Sequence, residues 1–274
     1  MQVFNNQLCL HIITGTRFYL RLYFMEILPL VLLLSENADF FHPVVPFLPG
    51  KDKLLPLDFT AANQELTSAV LENTRVFTQY INQKLNDAGA RYGIGGYAEH
   101  RTLYSRSKLF GTSQASPPTG GEDPIAIGSE GTTEPRRLHL GTDIWGKPHT
   151  AVMAPLDGIV HSFAFNDAFG DYGATIILTH QLQDISFYTL YGHLSLNSIK
   201  NLQEGQLIHK GDIFAEFGIP SENGQWPPHL HFQIIADLQG WQGDYPGVCK
   251  FSEKEIWLSN CPDPDLIHQM NQYL

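Results

Sequence analysis

Two periodicities divide the chain. Beyond Thr60, the apolar positions Leu66, Val70, Phe77, Tyr80, Ile81 and Leu85 recur at helical spacing, and Gly89 supplies a stop. This pattern predicts an amphipathic helix over 61–88, capped by Thr60, with its apolar stripe packed on the rest of the chain. From residue 151 the pattern changes to short apolar runs separated by turn-formers. The runs are Ala151–Ala154, Gly158–Phe165, Ala174–Thr179, Ile185–Tyr191, Gln206–Ile208, Asp212–Phe217 and His229–Ile235. Runs of that length without intervening helices predict antiparallel strands in two layers. The expected fold class is therefore mainly β, a two-layer antiparallel sandwich-like domain behind an N-terminal helical and extended region.

The remaining segments read as connections. Phe40–Leu57 is rich in proline and aromatic residues and predicts extended, wrapping chain. Gly93–Arg101 predicts a turn: its glycines do not match a phosphate-binding spacing, and no strand clearly leads into it. Glu99 and Arg101 within it predict a local ion pair or an approach to the cleft, with a solvated surface as the default. Gly111–Arg136, rich in Gly, Ser, Thr and Pro, predicts a loop or linker and a candidate lid. The implied organisation is 1–110 as an accessory region, 111–136 as a loop, 137–265 as the main domain and 266–274 as a tail.

Composition narrows the partners. Seventeen Lys+Arg against 28 Asp+Glu give a net charge of −11, which opposes nucleic acid and strong association with anionic membranes. Cys9, Cys249 and Cys261 show no C-x-x-C spacing, and an odd count is a poor disulfide framework. Arg17 and Arg21 precede an apolar stretch from Ile27 to Leu34, but Glu26 and Pro29 interrupt it and no small-x-small cleavage site follows. A cytoplasmic location is thus favoured over periplasm or secretion, and Met25 is an alternative start.

The chemistry concentrates in three segments. His139-Leu140-Gly141-Thr142-Asp143 and His229-Leu230-His231 supply two imidazoles and a carboxylate, ligand types that hold a catalytic zinc while leaving a fourth position open. Alternation along a strand puts His229 and His231 on one side and Leu230 on the other. Pro227 and Pro228 place the start of that strand at His229. The third segment, Tyr191-Gly192-His193-Leu194-Ser195, closes a strand. With twelve histidines in the chain, either motif alone would be weak. Three ordered elements are much harder to obtain by accident. His149, His161 and His180 are candidate second-shell donors. Tyr172, Tyr191 and Trp226 are candidate groove aromatics, and Asp167, Asp171 and Glu222 are candidate partners for a substrate ammonium.

H-x-x-x-D, a histidine in a Y-x-H-L-like context, and H-x-H in that order resemble the lysostaphin-type, LytM-like zinc endopeptidases, over roughly Leu138 to Pro264. The resemblance implies one zinc per chain held by His139, Asp143 and His231. It implies that His193 and His229 act as catalytic groups flanking the water, without deciding which is the general base. It also implies hydrolysis of peptide bonds in peptidoglycan-type stem peptides. In related enzymes a preceding segment can cover the metal, so an Asn, Glu or His before Gly111 is expected to do so here. A non-hydrolytic binding module of the same fold is the alternative, and intact ligand positions argue against it.

Overall fold

The computed structural model describes residues 29–111 and 134–274. The apolar N-terminal stretch up to residue 28, Met25, Cys9 and most of the expected 111–136 loop lie outside these residues. Twelve strands are described: β1 (Leu54–Leu57), β2 (Tyr92–Gly95), β3 (Leu138–His139), β4 (Thr142–Trp145), β5 (Ala151–Met153), β6 (Gly158–Asn166), β7 (Gly173–Leu182), β8 (Ile185–Leu194), β9 (Leu207–Ile208), β10 (Ile213–Glu216), β11 (His229–Ile235) and β12 (Val248–Cys249). Eight form one sheet in the order β1-β2-β4-β11-β8-β7-β6-β9, and β5–β10 and β3–β12 form two small sheets.

The mainly β expectation holds. Every pair from β3 onward is antiparallel, and the parallel exception is β1–β2, from the N-terminal region. One face of the large sheet, carrying Ile176, Leu178, Phe232 and Ile234, packs in a single apolar cluster with Val152 and Ala215 of the β5–β10 layer. Alternation in β11 is complete. Leu230, Phe232 and Ile234 enter that cluster, while His229, His231 and Gln233 take the opposite face.

The helical region departs from its predicted start. Residues 29–36 are helical (α1), Ser68–Leu71 forms a single turn (α2), and the main helix is Thr74–Ala88 (α3). Thr60 instead accepts from Ala62 N in a local turn. The true cap is Asn73, whose Oδ1 accepts from Arg75 N and Val76 N at 3.0 and 3.2 Å. Gly89 ends the helix in the left-handed region at φ 61°, as its position implied. Phe77, fully buried on α3, packs 5.9 Å from Trp145 on β4 and 6.5 Å from Trp226, ring centroid to centroid. Such burial contributes about 1.5–3 kcal/mol, so the N-terminal region shares its core with the strands that carry the histidines.

Gly93–Arg101 is not simply a turn. Its first residues are β2, parallel to β1 and antiparallel to β4, with Gly95 opposite Asp143. Four residues containing two glycines carry no readable alternation, and this strand is held by partners distant in sequence. Among the described residues no helix is long and apolar enough to cross a membrane.

Candidate metal centre

Strand register assembles the site. His231 lies directly opposite Asp143 on β4 and Gly192 on β8, so Asp143 and His231 share a face. His139 reaches the same point because Leu140 and Gly141 turn the chain between β3 and β4. A Cβ on Gly141 would lie 2.6 Å from the His231 ring, so this position admits no side chain. The contacts are His139 Nε2 to Asp143 Oδ1, 3.3 Å; His231 Nδ1 to Asp143 Oδ1, 3.1 Å; and His139 Nε2 to His231 Nδ1, 3.0 Å. All three residues are buried.

Outer partners settle the tautomers. His139 Nδ1 donates to Gly96 O at 2.9 Å, which leaves Nε2 bare. Gln233 Nε2 donates to Pro246 O and Cys261 Sγ, so Gln233 Oε1 faces His231 and accepts from its Nε2 at 2.9 Å. His231 Nδ1 is therefore bare as well. Two imidazole lone pairs and a carboxylate oxygen converge with no proton between them, a donor set suited to a divalent cation. Tetrahedral bonds of about 2.0–2.1 Å would put ligand atoms roughly 3.3 Å apart, close to the spacing found.

His193 and His229 flank this point, with ring centroids 4.1 Å apart. His193 Nδ1 donates to Asn223 O at 2.9 Å and His229 Nδ1 to Pro227 O at 2.8 Å, so both present Nε2 to the centre. His229 Nε2 lies 4.0 Å from Asp143 Oδ1, and its ring stacks on Trp145 at 3.9 Å. His193 sits at φ 62°, a conformation costly for most non-glycine residues. It is clamped there by His193 N donating to Tyr172 O and Gly218 N donating to His193 O. The structure thus brings all five sequence-derived site residues together.

Electrostatics follow from burial. Desolvation lowers His139 and His229 to about 4 and His193 well below its usual range, so all three are neutral near pH 7. Burial would raise the Asp143 carboxyl, but the fields of His139 and Arg101 hold it well below the usual carboxylate range. With His139 itself neutral, the permanent cation is Arg101.

Arg101 forms the expected pair with Glu99 but not on a solvated surface. It is fully buried, with Nη1 donating to Asp143 Oδ2 at 2.5 Å, Nε to Glu99 Oε2 at 2.7 Å and Nη2 to Gly96 O at 3.1 Å. Gly96 O is also the acceptor for His139. The N-terminal region therefore reaches the centre as a support behind the ligands. Among the described residues, no Asn, Glu or His side chain preceding Gly111 contacts the three ligand atoms.

Other expectations fare differently. Tyr172 and Trp226 line a cleft of ≈ 790 Å³ open to the site, together with Asp171. Tyr191 instead sits in the main core against Phe214 and Phe232, and Asp167 and Glu222 are not on the cleft wall. None of His149, His161 and His180 supports a residue of the centre. His149 pairs with Glu216, His161 with Ser162, and His180 with Asp157 O and Thr189. Gln233, which does serve it, was legible as the next same-face position after His229 and His231 on an otherwise apolar strand. Arg101 had no comparable signal.

Residues 137–243 match the model of Peptidase family M23. The chain is 30% identical over 108 residues to the L-Ala–D-Glu endopeptidase of Bacillus subtilis (strain 168), covering 37% of this chain and 31% of that protein. It is 33% identical over 98 residues to an uncharacterized metalloprotease of Haemophilus influenzae, covering 36% of this chain and 18% of that protein. The matches thus span less than a third of these relatives' lengths. The catalytic domain of lysostaphin from Staphylococcus simulans is 18% identical, covering 65% of this chain and 97% of that one at a TM-score of 0.33. At that score the likeness bears no weight for the fold, which rests on the strand pairing itself.

Proposed function

Since residues 137–243 match the model of Peptidase family M23, we propose that the chain is a lysostaphin-type, zinc-dependent endopeptidase acting on peptides of the peptidoglycan type. The observation that carries this reading is the convergence of three bare acceptor atoms, His139 Nε2, Asp143 Oδ1 and His231 Nδ1, flanked by the Nε2 atoms of His193 and His229. Those three residues would hold the ion. Zinc bound there would polarise the scissile carbonyl and make water acidic enough to ionise near neutral pH.

The chain's own groups supply the rest. His193 and His229 are neutral with Nε2 free, so either can accept a proton from water. Once protonated, the same ring can return the proton to the leaving amine. The other ring, if protonated, donates a hydrogen bond to the oxygen on which negative charge develops. Arg101, bonded to Oδ2, leaves Asp143 a single free oxygen toward the centre. The name of the Bacillus subtilis relative points to bonds between L-Ala and D-Glu as the first to try.

The test is digestion of defined muropeptides and general peptides by the full chain, with products mapped by mass spectrometry. Internal peptide-bond cleavage that stops on chelation and returns with zinc is expected. Stoichiometric zinc with no cleavage in either panel would replace this reading with a non-hydrolytic module.

A further inference from the structure

One buried cation in the cleft wall has no anion beside it among the described residues. Arg106 is 9% exposed and lines the cleft. Its Nη2 donates to Thr74 Oγ1 and Gln225 O, both at 3.0 Å. Among the described residues, Nε and Nη1 have no acceptor. Three rings surround the guanidinium, with centroids at 4.5 Å (Trp226), 4.9 Å (Phe169) and 5.6 Å (Phe77). Beside it, the buried Trp226 also has an indole Nε1–H without an acceptor.

Among the described residues, comparison with the buried Arg101 and the half-buried Arg136 sets this feature apart. Arg101 meets two carboxylates. Arg136, elsewhere on the same cleft wall, lies in the field of Asp244 and Asp171, which oppose the lowering that burial imposes. Arg106 has no such neighbour, and burial alone lowers it to about 10. Aromatic faces offset only part of a buried cation's cost. Each unmet donor still carries the penalty of its lost hydration. A carboxylate supplies both missing parts, a negative charge and lone pairs for N–H groups.

We propose that Arg106 and Trp226 form a subsite for a carboxylate of the peptide substrate, a deepening that rests on the peptidase reading above. The Trp226 ring lies 6.1 Å from that of His193 and 6.3 Å from that of His229, so the subsite adjoins the reacting groups. An extended peptide advances about 3.3–3.6 Å per residue, which puts the carboxylate roughly two to three residues from the scissile bond. Phe169, 45% exposed, covers the guanidinium from outside and is the side chain that an incoming carboxylate displaces. The carboxylate belongs either to an acidic side chain or to the C-terminus of the peptide.

The experiment uses the zinc-loaded full chain and three versions of one cleaved peptide: the parent, its side-chain carboxamide and its C-terminal amide. Wild type is expected to lose at least tenfold in kcat/KM on one of the two amides, which identifies the source. Arg106→Gln should abolish that preference, bringing kcat/KM for the parent and the amide together, and Arg106→Lys should keep part of it. Equal wild-type rates on all three peptides, or a preference that survives Arg106→Gln, would overturn the subsite. The wild-type ratio decides even where a variant folds poorly. If no peptide is cleaved, the peptidase reading fails separately. Calorimetric binding of an L-Ala–D-Glu peptide and its two amides then tests the subsite by the same comparison.

Discussion

The two sides of the centre are fixed by different means. On the ligand side, two of the three residues, Asp143 and His231, are oriented by the side chains of Arg101 and Gln233, while His139 is held by the Gly96 carbonyl. On the flanking side, His193 and His229 are oriented by the backbone carbonyls of Asn223 and Pro227. A side-chain support can be removed by one substitution, and a carbonyl cannot. Metal retention and turnover should therefore come apart under mutation.

The largest expected effect falls on the flanking side. His193→Ala or His229→Ala should lower kcat/KM by about 10²–10⁴-fold, while zinc measured by emission spectroscopy on dialysed protein stays near that of wild type. Loss of the metal in both variants would abolish the distinction between the two sides. Next is Arg101→Met, which strands the Asp143 carboxylate in the interior and leaves the half-buried Glu99 unpaired. Breaking a buried ion pair costs about 3–5 kcal/mol, read as reduced urea stability of the metal-free chain. Zinc should recover more stability in this variant than in wild type, because the ion would neutralise Asp143. Gln233→Leu frees the His231 ring and should weaken zinc binding by about 10–100-fold in competition titrations, with a much smaller effect on stability.

His180 sharpens the comparison from outside the centre. It too is buried, donates Nδ1 to a carbonyl, that of Asp157, and is lowered by burial to about 4, yet it has no metal-ligand neighbour. A depressed histidine pKa alone is thus no mark of a metal site in this protein. Because its folded pKa lies below the unfolded value, the unfolded chain binds the extra proton, and stability present above pH 6.5 is lost as pH falls toward 4. By pH 5 the loss from this residue is roughly 2 kcal/mol. Urea titrations of wild type and His180→Asn at pH 7.5 and 5 should differ in their pH dependence by about that amount, with zinc leaving the difference unchanged.

The same contrast explains what could be read from the chain alone. The strand His229–Ile235 was legible to the residue, because Pro227-Pro228 marks its start and alternation sorts its faces. The five site residues were legible because each sits in a short motif whose geometry is local. Arg101 was not, since its role arises when Gly95 pairs with Asp143 across a register linking residues far apart in sequence. The helix start was misplaced for a related reason: Thr60 and Asn73 are both good caps, and tertiary packing selects the second.

X-ray absorption at the zinc edge of the full chain loaded with one equivalent tests the central claim most directly. The account predicts stoichiometric binding with an all-nitrogen and oxygen shell at about 2.0–2.1 Å, including scattering from two imidazoles, and loss of that binding in Asp143→Ala. Failure to bind one equivalent, or a sulfur shell near 2.3 Å from Cys249 or Cys261, would show that His139, Asp143 and His231 do not share the ion.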